Sequence, residues 1–122
     1  MLQPHPNLLA GRKILLVEDE YFVAHDMARA LGDGGAEIIG PVSNVDDALD
    51  LIEEAGALDG AILDINLQGE MAFPVADALA ARSVPFVFAT GYDATVIPAK
   101  YQAVCRCEKP VEPDKVGRAL FG

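Results

Sequence analysis

Apolar positions along the chain follow two rhythms. Five short apolar runs, residues 13–17, 37–39, 60–63, 86–89 and 104–107, have the length and composition of strands. Between them apolar residues recur every three or four positions, the spacing that lines one face of a helix. Ala24, Met27, Ala28 and Leu31 form the first such stripe, which Gly32, Gly34 and Gly35 should stop. Val45, Ala48, Leu49 and Ile52 form the second, with Ser43 as the expected cap, Asp46 three positions on and Gly56 at the end. Ala72, Val75, Ala76 and Leu79 make a third stripe, in which Pro74 fits only the first turn. Pro113 likewise opens a last helix carrying Val116, Ala119 and Leu120. A fourth helix is due between residues 93 and 102, but Thr95, Val96 and Ile97 are β-branched and Pro98 follows, so a short or irregular helix is expected there. Met27 reads as core packing, whereas Met71 lies too close to a turn to assign.

Strands alternating with helices, without a repeat or a low-complexity linker, imply one doubly wound α/β domain with a parallel sheet covered on both sides. Residues 1–12 read as an N-terminal extension and 13–122 as the domain. The 122 residues suffice for a single core, and an apolar fraction of 52% suits strands buried on both faces. No apolar run approaches the ~18 residues of a spanning helix. The start, with Pro4 and Pro6, lacks the basic-then-apolar order of a secretory signal, so a cytoplasmic location is expected. A net charge of −10 with only 9 Lys and Arg argues against a nucleic-acid partner. Cys105 and Cys107 should share one face of a strand in poor geometry for a disulfide, and read as reduced. A Cys-x-Cys metal site would lack a second ligand pair, which His5 and His25 do not complete.

Ligands of such sheets bind beyond the carboxyl ends of the strands. Glu18, Asp19 and Glu20 follow the first strand, Asp64 closes the third, Thr90 closes the fourth, and Lys109 and Pro110 follow the fifth. Carboxylates converging there repel by about 4 kcal/mol per close pair at an effective dielectric near 20, which calls for a hard cation. Oxygen ligands favour Mg2+, with Mn2+ as an alternative. Asp19 and Asp64 would bind it directly, Glu18 directly or through water, and Asn66 through its backbone carbonyl. Beside such an ion Asp64 can attack a phosphoryl group in line and become an acyl phosphate. Donors to the new oxygens would be the Thr90 hydroxyl, the Lys109 ammonium and the backbone N–H after Asp64. Plainer readings stand beside these. Glu20, Asp46, Asp47, Glu53 and Glu54 read as solvated surface charge, and Thr90 also suits a turn with Gly91. Tyr92 is either a shield for the acyl phosphate or an exposed turn aromatic. His25 is either a phosphorelay histidine or, as is far commoner, a passive one.

The runs Ile14-Leu15-Leu16-Val17-Glu18-Asp19-Glu20, Ala61-Ile62-Leu63-Asp64, Thr90 and Glu108-Lys109-Pro110 together resemble the response-regulator receiver family over nearly the whole chain. Pro85-Phe86-Val87-Phe88-Ala89-Thr90-Gly91-Tyr92 further resembles its FATGUY branch. The resemblance implies a five-stranded flavodoxin-like fold and Mg2+-dependent transfer of a phosphoryl group to Asp64. The donor would be a sensor histidine kinase or a histidine phosphotransfer protein. Signalling would pass to a downstream protein through the fourth helix, fifth strand and fifth helix. The chain would be a two-component phosphoprotein and no enzyme beyond slow self-catalysed phosphorylation and dephosphorylation. Many members carry Tyr or Phe three positions before the lysine, where this chain has Arg106. With Pro98 nearby, the expectation is that phosphorylation orders residues 90–102 instead of swinging an aromatic ring.

Other functions fit less well. A phosphoaspartate-forming phosphatase would want a second carboxyl where Asn66 stands. A nucleotide or flavin binder lacks the Walker pattern, and Gly32, Gly34 and Gly35 lie at a helix end. A receiver-like module working unphosphorylated would not need every chemical position filled. No output module follows Gly122 in this sequence, so a stand-alone receiver is expected.

Overall fold

The computed structural model describes residues 7–91 and 97–122. In chain order the elements are β1 (Lys13–Val17), α1 (Tyr21–Asp33), β2 (Glu37–Val42), α2 (Val45–Glu54) and β3 (Gly60–Asp64). A small hairpin of β4 (Asn66–Leu67) and β5 (Glu70–Met71) comes next, then α3 (Phe73–Ala81) and β6 (Phe86–Thr90). A single 3-10 turn (Ala99–Tyr101), β7 (Arg106–Glu108) and α4 (Pro113–Phe121) complete the chain.

The 5-stranded sheet has the order β2-β1-β3-β6-β7. Every neighbouring pair in it runs parallel. This is the expected doubly wound, flavodoxin-like architecture. Successive side chains on the three middle strands point to opposite faces, and both faces are covered. Leu15, Val17, Ala61, Leu63 and Phe88 join Val45, Ala48 and Ile52 of α2 and Val75, Ala76 and Leu79 of α3 in one core. Ile14, Leu16, Ile62, Val87 and Ala89 join Met27 and Leu31 of α1 and Val116 of α4 in the other. Leu9, inside the segment read as an extension, is buried in this second core.

Edges depart from the sequence reading in ways that physical causes explain. β2 continues to Val42 through Gly40 and Pro41, where the sequence suggests a stop at Ile39. As an edge strand it tolerates a proline, and its register against β1 shifts between Leu15 and Val17. Gly40 has φ 102, and a Cβ there would sit 2.9 Å from the Leu16 carbonyl oxygen, so only glycine fits. α2 is capped by Asn44, one residue after the expected Ser43; its Oδ1 accepts from the Asp47 amide at 2.8 Å. The shift lets Val45 open the helix with its side chain in the core. α1 runs through Gly32 to Asp33 before Gly34 caps it. In α4 the buried residues are Val116 and Gly117, while Ala119 is exposed.

The last strand begins at Arg106, so Cys105 lies outside it and is exposed, and only Cys107 is buried. The two thiols therefore differ in burial and are not both strand residues, although both are free as expected. The expected weak fourth helix corresponds to the turn at Ala99–Tyr101. Tyr101 is buried, stacked on Phe73 with ring centroids 6.2 Å apart, and edge-on to Phe86 and Phe88. Its hydroxyl donates to Asp77 of α3, which also pairs with Lys100 at 2.8 Å. Arg106, exposed, donates to the Gln102 side chain at 3.3 Å. The segment expected to order on phosphorylation includes residues 92–96, and these, with Tyr92, Thr95 and Val96 among them, lie outside the described residues, as does His5.

Candidate functional site

The carboxyl ends of β1, β3 and β6 open onto one rim. β1 and β3 pair as far as Val17 and Leu63, so the residues that follow, Glu18 and Asp64, emerge side by side. Glu18 is turned inward and its amide donates to the Val42 carbonyl at 3.0 Å, fixing it to the end of β2. Lys109 is carried by the loop after β7, where its amide donates to the Thr90 carbonyl at 2.9 Å. Carboxylate oxygens of Glu18, Asp19 and Asp64 lie within 4.8 Å of one another. The Lys109 Nζ reaches between two of them, 2.5 Å from Glu18 Oε1 and 3.2 Å from Asp64 Oδ2.

Glu18 is the one charged residue in the core among the described residues, at 2% exposure. Burying a carboxylate is expensive without full compensation. Its Oε2 accepts from the Glu20 amide at 3.2 Å. Its Oε1, although close to Lys109, accepts no aligned hydrogen bond among the described residues. Burial, contact with Glu18 and the Glu18 charge push the Asp64 carboxyl up to about 7, against the pull of Lys109. Burial works against the Lys109 charge, but contact with Glu18 and the charge of Asp64 outweigh it and hold the ammonium above its ordinary range.

An open pocket of about 480 Å³ lies over this group, lined by Asp19, Glu20, Asp64, Asn66, Gln68, Gly69, Gly91 and Lys109. Of the residues singled out in the sequence, Asp19, Asp64, Asn66 and Lys109 line it and Glu18 underlies it. Thr90 ends β6 half-buried, and Gly91 takes the place in the pocket wall. Glu20, read as plain surface charge, is exposed yet forms part of the wall. Asp46, Asp47, Glu53 and Glu54 are exposed, as expected. His25 is exposed and stacks on Tyr21 at 6.4 Å. Gln68 and Gly69 escaped sequence reasoning because a hairpin of two-residue strands carries no periodicity; the Gln-Gly pair was its only trace.

Such an arrangement can bind a hard cation on its oxygens and neutralise an anion with its lysine. Among solved structures, the chain is similar to SdrG from Sphingomonas melonis Fr1, with 39% identity and a TM-score of 0.80 over 94% of this chain and 98% of that one. The BeF3-activated conformation of SdrG from Pseudomonas melonis Fr1 matches with 40% identity and a TM-score of 0.73, over 91% and 94% of the two chains. A response regulator receiver protein from Sinorhizobium medicae WSM419 shares the fold, with 24% identity and a TM-score of 0.72 over 90% and 91%. No family model and no curated protein matches the chain.

Proposed function

The chain belongs to the response-regulator receiver family, and from that premise we propose that it accepts a phosphoryl group on Asp64 in an Mg2+-dependent reaction. The observation that carries the reading is the trio of carboxylates within 4.8 Å, one of which, Glu18, buries an oxygen without an aligned donor. A lysine alone leaves that trio with excess negative charge, and Asp19, Asp64, Glu18 and the Asn66 carbonyl would hold a divalent ion that would offset it. Mg2+ or Mn2+ would supply charge neutralisation for the equatorial phosphoryl oxygens when bound.

The remaining steps belong to the chain. An Asp64 oxygen attacks the phosphorus of a phosphohistidine; the P–N bond breaks and its electron pair returns to the imidazole. Lys109, already held between Glu18 and Asp64, donates to the transferred group, with the Thr90 hydroxyl and the amide after Asp64 as further donors. The donor partner is a sensor histidine kinase or a histidine phosphotransfer protein, and the product signals by protein contacts. That a 40% identical relative has a BeF3-activated conformation supports the reading, since this anion mimics a phosphoryl group. The chain acts as a cytoplasmic receiver of the FATGUY type, with residues 13–122 as the domain and 1–12 as an extension whose Leu9 packs into the second core.

Intact mass after incubation with Mg2+ and a small phosphodonor tests it. One added phosphoryl group in the parent and none in Asp64→Ala is expected; equal labelling of both would refute the assignment. Appreciable turnover of phosphomonoesters would favour a phosphatase.

A further inference from the structure

The tip of the β4–β5 hairpin is built at a conformational cost. Gln68 has φ 55 and Gly69 φ 93, the pair of positive values of a type I′ turn, whose first position favours Asn, Asp or Gly. Among the described residues only Gln68 and Ser83 are non-glycine residues with positive φ. Ser83 has a local reason: it follows α3, and the amides of Ser83 and Val84 close that helix on Ala80 and Leu79. Gln68 has no such reason in the backbone, since glycine or asparagine would make the same turn with less strain. Strain of this kind at a ligand pocket points to the side chain being needed.

The tip is also held in place. Leu67 is buried, the Asn66 Oδ1 accepts from the Gly69 amide at 2.7 Å, and the Glu70 carboxylate accepts from the Val45 amide at 3.4 Å. The Ala72 amide donates to the Ile65 carbonyl at 2.8 Å, closing the base of the hairpin. The carboxamide of Gln68 is thus carried on a fixed spur in the wall that also contains Asp64 and Lys109. Other polar side chains of that wall are committed or charged. Lys109 faces Glu18 and Asp64, and Asn66 is engaged with Gly69. Asp19 and Glu20 are carboxylates, which repel a phosphoryl group. Gln68 is neutral, makes no side-chain hydrogen bond among the described residues, and can accept and donate at once.

Resting on the reading of Asp64 as phosphoacceptor, we propose that Gln68 orients the water that hydrolyses the phosphoaspartate and so sets the lifetime of the phosphorylated state. The amide oxygen accepts from the water while the amide nitrogen donates to a phosphoryl oxygen, aligning attack. The water oxygen bonds to phosphorus, and the bond from phosphorus to the Asp64 oxygen breaks with its electron pair returning to the carboxylate. Both water protons leave on the dihydrogen phosphate product. A neutral amide that places a nucleophile without taking its proton is an established device in phosphoryl hydrolysis.

The test loads the parent, Gln68→Ala and Gln68→Gly with acetyl phosphate and Mg2+, removes the donor, and follows loss of the phosphoryl group by intact mass. Both variants should retain the group roughly three- to tenfold longer than the parent, less than the ~100-fold of a sequestered donor because Gln68 is exposed. Loading should slow by less than the loss does, because only the hydrolytic step uses the water that Gln68 orients, a split that general loosening of the site would not produce. Gln68→Gly should also melt higher than the parent, because glycine relieves the turn, so slower hydrolysis in that variant cannot come from unfolding. Normal loading followed by equal or faster loss in both variants overturns the role of Gln68. Failure of the parent itself to load on Asp64 overturns the phosphoacceptor reading, and the water-orienting role with it.

Discussion

Asp64 illustrates how one residue can be unfavourable for the fold and still be necessary to the site. Its carboxyl is raised from 3.8 to about 7 by burial first, and then by contact with Glu18 and the Glu18 charge. Between those values the folded chain holds a proton that the unfolded chain has released, so stability falls as pH rises. The contribution is complete below pH 3.8 and lost once pH passes about 7. Asp64→Asn removes this loss. In chelator-treated samples the variant should melt above the parent, by little near pH 5 and by ~2–5 °C near pH 8. A difference that does not change with pH would show that desolvation and Glu18 do not govern this carboxyl.

Elements obey their local chemistry even where the sequence reading misplaced their ends. Asn44→Ala should destabilise the chain by about 1 kcal/mol in urea titration, and Ser43→Ala by much less, because only Asn44 caps the Asp47 amide. The middle strands were legible in the sequence because Ile14 to Val17, Ala61 to Leu63 and Val87 to Ala89 are apolar without interruption, a pattern imposed by burial on both faces. At the edges that pressure is relaxed. Gly40 and Pro41 look like a stop yet belong to β2, and Cys105 looks like strand yet precedes it. Glu18, Asp19 and Asp64 could be read from sequence because charge directly after buried strands is rare, whereas Lys109 was legible only through Pro110 beside it and the rest of the set. Glu20 and Gln68 could not, since their place in the pocket wall comes from chain folding over the rim and leaves no mark on neighbouring residues.

On the scale of the whole molecule, the site and the fold are linked by charge. Glu18 and Asp19 are neighbours in the sequence, but Asp64 joins them only in the native state, so a divalent ion that binds all three must stabilise the fold. At a free Mg2+ concentration a hundredfold above its Kd the gain should be about 2.7 kcal/mol. Thermal melts across an Mg2+ titration should show the rise in the parent and lose most of it in Asp19→Ala. Absence of any rise in the parent would mean that Lys109 alone satisfies the pocket.

The two cores have a consequence for how such a chain can diversify. α2 and α3 cover one side of the sheet, α1 and α4 cover the other, and the acidic rim belongs to neither layer. Outward-facing positions on all four helices are therefore free to drift toward new recognition surfaces, while the inward stripes keep the strands aligned. The proposed reaction can then be offered to changing company without reworking its atoms.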